Sequence, residues 1–296
     1  MTNIQSCRYR VVDVFTDTPL EGNALAVFPD ASGLDGGMMQ KIARELNLSE
    51  VTFVLPATRP DCAARVRIFT PSKEMVFAGH PTIGTSRVLL DEGIVPAGTS
   101  LFQLEEQIGP VPVRVDEGNT PMIWLRTPPI AFGGQFEREM CARVLGLETD
   151  DLLDAVPQLV SAGNPTVFVA LKDKAAVDRA WLDAHGAKVF RDGYPEPLCV
   201  FVFAPTNEGA YSRMFAPEYG IVEDPATGSS TGPLAAYMMQ HGLVSRVAGT
   251  RFVSEQGTKM KRRSLLHVHI HGDGGMDGID VGGHVAPIVE ATMRLR

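Results

Sequence analysis

The sequence has few cysteines, no long hydrophobic run and no excess of positive charge, and each shortage excludes a class of protein. The four cysteines are far apart and form no CxxC pair, so we expect neither a disulfide framework nor a thiolate metal centre. The longest apolar run, residues 198–204, is far shorter than the ~20 residues of a transmembrane helix. The formal net charge of −8 disfavours general binding to nucleic acid or to an anionic membrane.

What is present indicates a protein with a large core. The chain has 296 residues, 44% of them hydrophobic, which favours about two domains. Its first ten residues lack the apolar segment of a secretory signal, so we expect a cytoplasmic protein. A P-loop and a dinucleotide-binding glycine fingerprint are also missing from the sequence, which argues against nucleotide chemistry.

The two halves of the sequence repeat short motifs in the same order. Residues 67–71 (RIFTP) match residues 213–217 (RMFAP), and a Gly-Asn pair precedes each of them. Gly79 lies fourteen residues before a Gly-Ile-Val string, and Gly228 lies fourteen before Gly-Leu-Val. This shared order predicts a duplication, with two similar domains that face each other across a cleft.

Local patterns predict a mixed or antiparallel sheet and one long central helix in each half. The central helices are predicted at Thr82 to Asp91 and at Pro233 to His241. A further helix is predicted at Ala175 to Ala184, and residues 186–190 after it are taken as the counterpart of residues 47–50. The Pro128-Pro129 pair marks the crossover between the halves.

Glycine lies at the beginning of both central helices, in Phe-Ala-Gly-His-Pro and in Asp-Pro-Ala-Thr-Gly-Ser-Ser. At Gly79 and Gly228, backbone N–H groups can approach a ligand closely, and the helix N-terminus attracts an anion. Two such helix starts would bind a carboxylate. The alternative is that these glycines only turn the chain and that Thr227 or Ser229 caps a helix.

Three titratable residues adjoin these segments. His80 lies at the first helix start and Asp224 just before the second, although a packed histidine and a turn aspartate fit the same patterns. Glu50 ends the string Asn-Leu-Ser-Glu, and by residue type alone it would be an ordinary loop carboxylate. Its assumed counterpart, residues 186–190, contains no carboxylate, so one half carries a group that the other lacks.

A histidine cluster raises the question of a metal site. His267, His269 and His271 alternate and so share one strand face, a spacing that can ligate zinc. Three aspartates follow in a glycine-rich segment: Asp273, Asp277 and Asp280. The exposed face of an edge strand explains the pattern as well, and we predict no metal.

These motifs together resemble the PhzF-like family, the phenazine biosynthesis isomerase-like proteins of the diaminopimelate epimerase fold. The resemblance extends from near residue 10 to about residue 245, most of the chain. The matching strings are residues 19–23, 47–50, 67–71, 77–81, 212–215, 223–224 and 226–229.

The resemblance implies an α+β fold of two pseudo-symmetric domains, each a mostly antiparallel or mixed sheet wrapped around a central helix. We expect a first domain over residues 1–128 and a second over 129–287, with the final strand, 288–296, returning to the first. The active site is expected between the domains. The resemblance also implies a homodimer, a small-molecule carboxylate substrate and no cofactor.

The resemblance further implies residue roles. The best-understood member of the family isomerises trans-2,3-dihydro-3-hydroxyanthranilate, and the glutamate of its Asn-Leu-Ser-Glu string shuttles a proton. That glutamate corresponds to Glu50, and the family's histidine and aspartate correspond to His80 and Asp224. The expected substrate-binding residues are Asn23, Ser49, Gly79, Thr227, Gly228 and Ser229.

Racemases of the same fold use a cysteine on each domain. Those cysteines would fall near Ala78 and Thr227, where this chain has no thiol. A single carboxylate suits the movement of a proton between two carbons rather than stereoinversion. The sequence therefore predicts a cofactor-independent isomerase of a small, cyclic carboxylic acid. The alternatives are a non-catalytic metabolite-binding protein and a cofactor-free lyase or epimerase that acts on another acid.

Overall fold

The structure is a computed structural model that describes residues 5–118, 120–271 and 278–295. The chain divides into two compact units, Met1–Leu125 with Gly282–Arg296 and Arg126–Val281. The boundaries expected from the sequence, after residues 128 and 287, lie a few residues further along the chain. Within the described ranges, no helix is both long enough and apolar enough to cross a bilayer.

The first unit contains two helices and most of the strands of the N-terminal half. In chain order the elements are β1 (Gln5–Val14), β2 (Asn23–Phe28), α1 (Gly36–Leu46), β3 (Glu50–Leu55), β4 (Ala64–Phe69), β5 (Glu74–Met75), α2 (Gly79–Asp91), β6 (Leu101–Glu106), β7 (Gly109–Val115) and β8 (Ile123–Arg126).

The sheet of the first unit is mixed. Strand β2 is antiparallel to β1 and parallel to β3, and β3 is antiparallel to β4. Strand β4 is antiparallel to the short β5 and parallel to β6, after which β6, β7 and β8 pair in antiparallel fashion. Two parallel strands need a long connection between them, and a helix accordingly separates β2 from β3 and β4 from β6 along the chain.

Helix α2 is buried on nearly all sides, as expected for the centre of a unit. It begins at Gly79, three residues before the predicted Thr82. Gly84 allows it to pack closely on β1 and β2, because a Cβ at Gly84 would lie 2.6 Å from Leu25 Cδ2 and 2.8 Å from Val14 Cγ2. Close packing of α2 on β1 and β2 fixes where the first turn of the helix lies.

The second unit repeats this plan with additional helices. Its elements are β9 (Ala131–Gln135), α3 (Arg138–Val144), β10 (Gln158–Ser161), β11 (Thr166–Ala170), α4 (Lys174–Arg179), α5 (Ala184–Arg191), β12 (Cys199–Thr206), β13 (Gly209–Ala216), β14 (Ile221–Asp224), α6 (Gly228–Gln240), β15 (Arg251–Gln256), β16 (Ser264–Ile270) and β17 (Ile279–Gly283).

The pairing order of the second unit matches that of the first. Strand β11 is parallel to β12, β12 is antiparallel to β13, and β13 is antiparallel to β14 and parallel to β15. Helix α6 is buried like α2 and begins at Gly228, five residues before the predicted Pro233. Proline favours a first helical turn, but Pro233 lies inside the helix, where it lacks a backbone N–H to donate.

The final strand, β18 (Val285–Leu295), belongs to the first unit. It pairs in antiparallel fashion along the whole of β1, from Gln5 opposite Leu295 to Val14 opposite Val285. Two units, each with a mixed sheet and a buried central helix, confirm the α+β class predicted from the sequence.

Candidate active site

Glu50 is positioned by the end of helix α1 and the start of β3. Asp35 caps the beginning of α1, where its side chain accepts a hydrogen bond from Met38 N at 2.8 Å. Asn47 ends the helix in the left-handed conformation, with φ of 51°. The chain then turns, and Glu50 opens β3 directly opposite Leu25 of β2. The predicted residue Asn23 is buried at the start of β2, and Ser49 is half-buried beside Glu50.

Glu50 contacts His80 in the first unit. Glu50 Oε2 lies 3.4 Å from His80 Nε2, and the two side chains are only 14% and 7% exposed. Burial lowers the pKa of His80 to about 3, so its imidazole is neutral at neutral pH. The pair is therefore a contact between a carboxyl group and an uncharged imidazole, largely shielded from water.

Gly79 is the first residue of α2, and His80 is the second. The N-cap residue is Ala78, whose methyl side chain cannot accept a hydrogen bond. In the described structure, the side chain at the N-cap position makes no hydrogen bond to the first N–H groups of this helix. Such N–H groups are available to a bound anion.

The second unit brings Asp224, Thr227, Gly228 and Ser229 together where β14 ends and α6 begins. Asp224 is buried, and its Oδ2 accepts a hydrogen bond from Thr227 Oγ1 at 2.5 Å. Thr227 is the N-cap residue, but its hydroxyl bonds Asp224 instead of capping the helix. Gly228 and Ser229 are partly exposed in the first turn.

Two polar residues that the sequence did not single out complete this cluster. Asn164 Nδ2 donates to Ser229 Oγ at 3.3 Å, and Asn164 Oδ1 accepts from Cys199 Sγ at 3.6 Å. Gln256 bonds Asp224 and Thr227 from the end of β15. The repeat gave a signal for Asn164, which matches Asn23, whereas nothing in the sequence marked Gln256.

The predicted counterpart of Glu50 is wrong. Residues 186–190 lie within helix α5, a second helix that begins at Ala184, where the one predicted helix was expected to end. The strand register identifies another residue. Val51 of β3 pairs with Phe69 of β4, and Glu50 is the residue before Val51. Val200 of β12 pairs with the equivalent Phe215 of β13, and Cys199 is the residue before Val200. The second unit therefore has a thiol where the first has a carboxyl group.

That thiol is poorly suited to proton transfer from carbon. Cys199 is buried, and burial raises its pKa to about 12. At neutral pH it is protonated and remains so. The asymmetry between the units thus concerns both the residue type and its ability to accept a proton.

The histidines of β16 alternate as expected, with partly exposed side chains between buried neighbours. The rings of His269 and His271 lie 3.8 Å apart, and His271 Nε2 lies 2.7 Å from Asp280 Oδ2, which is also close to Arg126. Asp273 and Asp277 lie outside the described residues. In the described part of the chain, these residues included, no group of three or more histidine, cysteine or acidic side chains is arranged to hold a metal ion.

Comparison with known proteins places this arrangement in a family. The model of the phenazine biosynthesis-like proteins, PhzC-PhzF, matches residues 12–291. The chain belongs to this family. It is 38% identical to trans-2,3-dihydro-3-hydroxyanthranilate isomerase of Pseudomonas aeruginosa over 293 residues, which is 97% of this chain and 99% of the relative. The predicted family is confirmed, and with it the class of enzyme, a PhzF-type isomerase.

Solved structures agree with this assignment. The structure of a phenazine biosynthesis protein of the PhzF family from Bacillus anthracis matches with a TM-score of 0.87 and 25% identity, over 98% of this chain and 99% of that one. A probable proline racemase from Agrobacterium radiobacter matches with a TM-score of 0.69 and 15% identity, over 98% and 93%. The second likeness shows the fold alone, which is the one predicted from the resemblance.

Proposed function

We propose that this protein isomerises a small, cyclic carboxylic acid without a cofactor, and that trans-2,3-dihydro-3-hydroxyanthranilate or a close analogue is the substrate. Glu50 is the only group that moves the proton. The observation that carries the proposal is the pairing of Glu50 with a neutral His80, while the equivalent position holds the buried thiol of Cys199. The homodimer implied by the family resemblance belongs to the same proposal.

In the proposed reaction, Glu50 removes a proton from one carbon of the substrate and returns it to another. The carboxyl group ends the cycle as it began, so the substrate loses and gains no atoms. The neutral imidazole of His80 bonds the carboxyl group or the substrate without adding charge. General acid–base catalysis of this kind contributes roughly 10²–10⁴-fold to the rate.

The remaining polar residues bind the substrate in this proposal. The N–H groups at Gly79 and Gly228 and the hydroxyl of Ser229 bind its carboxylate, since helix starts favour anions. Asp224, held by Thr227, accepts a hydrogen bond from an amino or hydroxyl group of the substrate. Two further polar residues contribute side chains from the first unit: Asn23 and Ser49.

Two-base stereoinversion is a weaker candidate for this chain. At the helix starts, the positions that would carry the two thiols are Ala78 and Thr227, and the Thr227 hydroxyl donates its hydrogen bond to Asp224. The thiol nearest these residues in the hydrogen-bond network, Cys199, is buried with a raised pKa. A single carboxyl base fits the first unit better.

The test is an ultraviolet time course with trans-2,3-dihydro-3-hydroxyanthranilate, run in parallel with calorimetric binding. Wild type is expected to consume the substrate, whereas Glu50→Gln binds it with similar affinity and turns it over at least ~100-fold more slowly. Glu45→Gln is the matched control, because Glu45 is exposed on α1.

Turnover by Glu50→Gln within a few-fold of wild type would refute the role of Glu50. Binding without turnover by wild type would refute the enzymatic proposal for this substrate and favour a metabolite-binding protein.

A further inference from the structure

The last residues of β6 and β15 occupy equivalent positions in the two units. Strand β6 runs parallel to β4, with Ala64 opposite Leu104, and β15 runs parallel to β13, with the equivalent Ala210 opposite Ser254. Strand β6 ends at Glu106 and β15 at Gln256, and both side chains are buried. These side chains have the same length, and each reaches the first turn of its unit's central helix.

Gln256 is fully engaged with the start of α6. Its Nε2 donates to the carbonyl of Asp224 at 2.7 Å and to Thr227 Oγ1 at 3.0 Å, while its Oε1 accepts from Thr227 N at 3.1 Å. Because Thr227 Oγ1 accepts from the amide, its own proton goes to Asp224 Oδ2. Gln256 therefore orients a residue of the proposed site.

Glu106 meets the start of α2 through Thr82. Thr82 Oγ1 lies 2.6 Å from Glu106 Oε1 and 2.7 Å from the carbonyl oxygen of Ala78. A threonine hydroxyl has one proton, and a carbonyl has none. Both short distances are satisfied when Thr82 donates to Ala78 O and Glu106 donates to Thr82, which requires a proton on Glu106.

The second unit supports this direction of donation. Thr231 lies three residues after Gly228, as Thr82 does after Gly79, and its hydroxyl donates to the carbonyl of Thr227 at 2.9 Å. The equivalent threonine thus bonds the carbonyl one turn earlier. A hydrogen bond from Thr82 to the carbonyl of Ala78 is the equivalent bond in the first unit.

The surroundings of Glu106 also favour its neutral form. Among the described residues, no donor contacts Glu106 Oε2. The neighbouring charged residues are Glu105 on the same strand and Arg65 opposite it on β4, and Glu105 is taken up by hydrogen bonds from Thr58. On α2 the titratable neighbour of Thr82 is the neutral His80, and β7 places Gly109 opposite Glu106.

Burial raises the pKa of Glu106 to about 8, against a smaller opposing contribution from the Thr82 hydrogen bond. Proton position and burial therefore agree. A carboxylic acid and a primary amide are both uncharged and both donate a hydrogen bond, which explains how glutamate and glutamine serve the same position in the two units.

We propose that Glu106 is a positioning residue of the first unit, equivalent to Gln256, and that it holds the first turn of α2 as a carboxylic acid that keeps its proton at neutral pH. That turn carries Gly79 and His80. The catalytic consequence rests on the proposed function, whereas the protonated state does not.

The first test needs no substrate. Infrared spectra of wild type and Glu106→Gln are compared at pH 6 and again at pH 10, with Glu105→Gln as the matched control one residue away. The expected difference at pH 6 is a carboxylic acid C=O band that Glu106→Gln lacks and Glu105→Gln keeps, and that a carboxylate band replaces at pH 10. A carboxylate band at pH 6 in the Glu106→Gln difference spectrum would overturn the proposal.

The second test uses turnover, and it separates positioning from simple packing. Glu106→Gln should keep kcat/KM near neutral pH within about threefold and lose the alkaline decline of wild type, whereas Glu106→Leu loses at least about tenfold, because Thr82 loses its donor. Gln256→Glu should be impaired at pH 8 and partly recover at pH 5.5, since a proton restores its donor.

A Glu106→Gln variant as slow as Glu106→Leu would contradict the proposal, as would an unchanged alkaline decline in Glu106→Gln. If wild type turns over no substrate, the infrared result still decides the protonated state, so failure of the proposed function and failure of this inference are distinguishable.

Discussion

The two units share a structural ion pair but not their reactive groups. Arg67 binds Glu74 through two hydrogen bonds of 2.7 and 2.8 Å, and Arg213 binds Glu223 through two of 2.9 and 2.8 Å. Both arginines come from the repeated motif. In each unit this paired geometry ties the short strand after the motif to the neighbouring strand of the sheet.

The residues beside the helix starts differ instead. The register pairs Met214 with Asp224 in the second unit and Ile68 with Met75 in the first, so an aspartate takes the place of a methionine. Glu50 similarly takes the place of Cys199. The two units share the scaffold, whereas under the proposed function Glu50 of one unit moves the proton and Asp224 of the other anchors the substrate, in line with function residing in sites rather than folds.

Replacing each arginine separately tests how much each of the two ion pairs contributes to stability. The Arg213 side chain is 4% exposed and also donates to three backbone carbonyls, whereas the Arg67 side chain is 24% exposed. Arg213→Met should lower the free energy of unfolding by about 3–5 kcal/mol. Arg67→Met should cost at most about half as much. Urea unfolding measures both, and equal losses would contradict the difference in burial.

A second test compares Asp224 with Met75, the residue at the equivalent position of the first unit. Asp224→Asn keeps the size of the side chain but removes the charge that accepts the Thr227 hydroxyl. We expect kcat/KM to fall about 10–100-fold, mostly through KM, because a charged hydrogen bond to the substrate is lost. Met75→Leu, at the equivalent position, should change kcat/KM less than about twofold. Steady-state kinetics would contradict the assignment if both variants behaved alike.

The neutral His80 gives the first unit its own acid sensitivity. Its pKa in the folded state, about 3, lies below the unfolded value of 6.5. The stability it contributes is therefore complete above pH 6.5 and is lost as pH falls towards 3. Between pH 6.5 and 5 the free energy of unfolding should drop by ~2 kcal/mol from this residue. His80→Asn should flatten that slope in urea unfolding, and an unchanged slope would show that the imidazole is not buried and neutral.

Glu106 has the opposite pH dependence. Its folded pKa of about 8 lies above the unfolded value of 4.5, so its favourable contribution is complete below pH 4.5 and is lost as pH rises through 8. Glu106→Gln should therefore flatten the fall in unfolding free energy between pH 4.5 and 8 and leave the acid fall unchanged.

Local signals in the sequence were sufficient for the repeat and for a central helix in each half, since each of these depends on short-range spacing. The predicted helix begins at Pro233, five residues after the start of α6 at Gly228. Proline inside a helix removes a backbone hydrogen bond, yet α6 contains Pro233, so the position of a proline alone does not locate the start of this helix.

The contacts of the supporting residues could not be found from the sequence. Gln256 bonds Thr227 across 29 positions, and Asn164 bonds Ser229 across 65, so only the fold brings them together. The true counterpart of Glu50 was missed for a similar reason. It depends on strand register, and the intervening segment forms two helices rather than one.

The most direct test of the central claim is turnover in deuterium oxide, followed by proton NMR for wild type and Glu50→Gln. If one carboxyl group moves the proton, wild type should form the isomerised product in a single configuration, with deuterium at no carbon other than the one that receives the proton, and Glu50→Gln should form none on the same timescale. Product from Glu50→Gln, or recovery of substrate with an inverted centre, would contradict the account and require a second acid or base in the site.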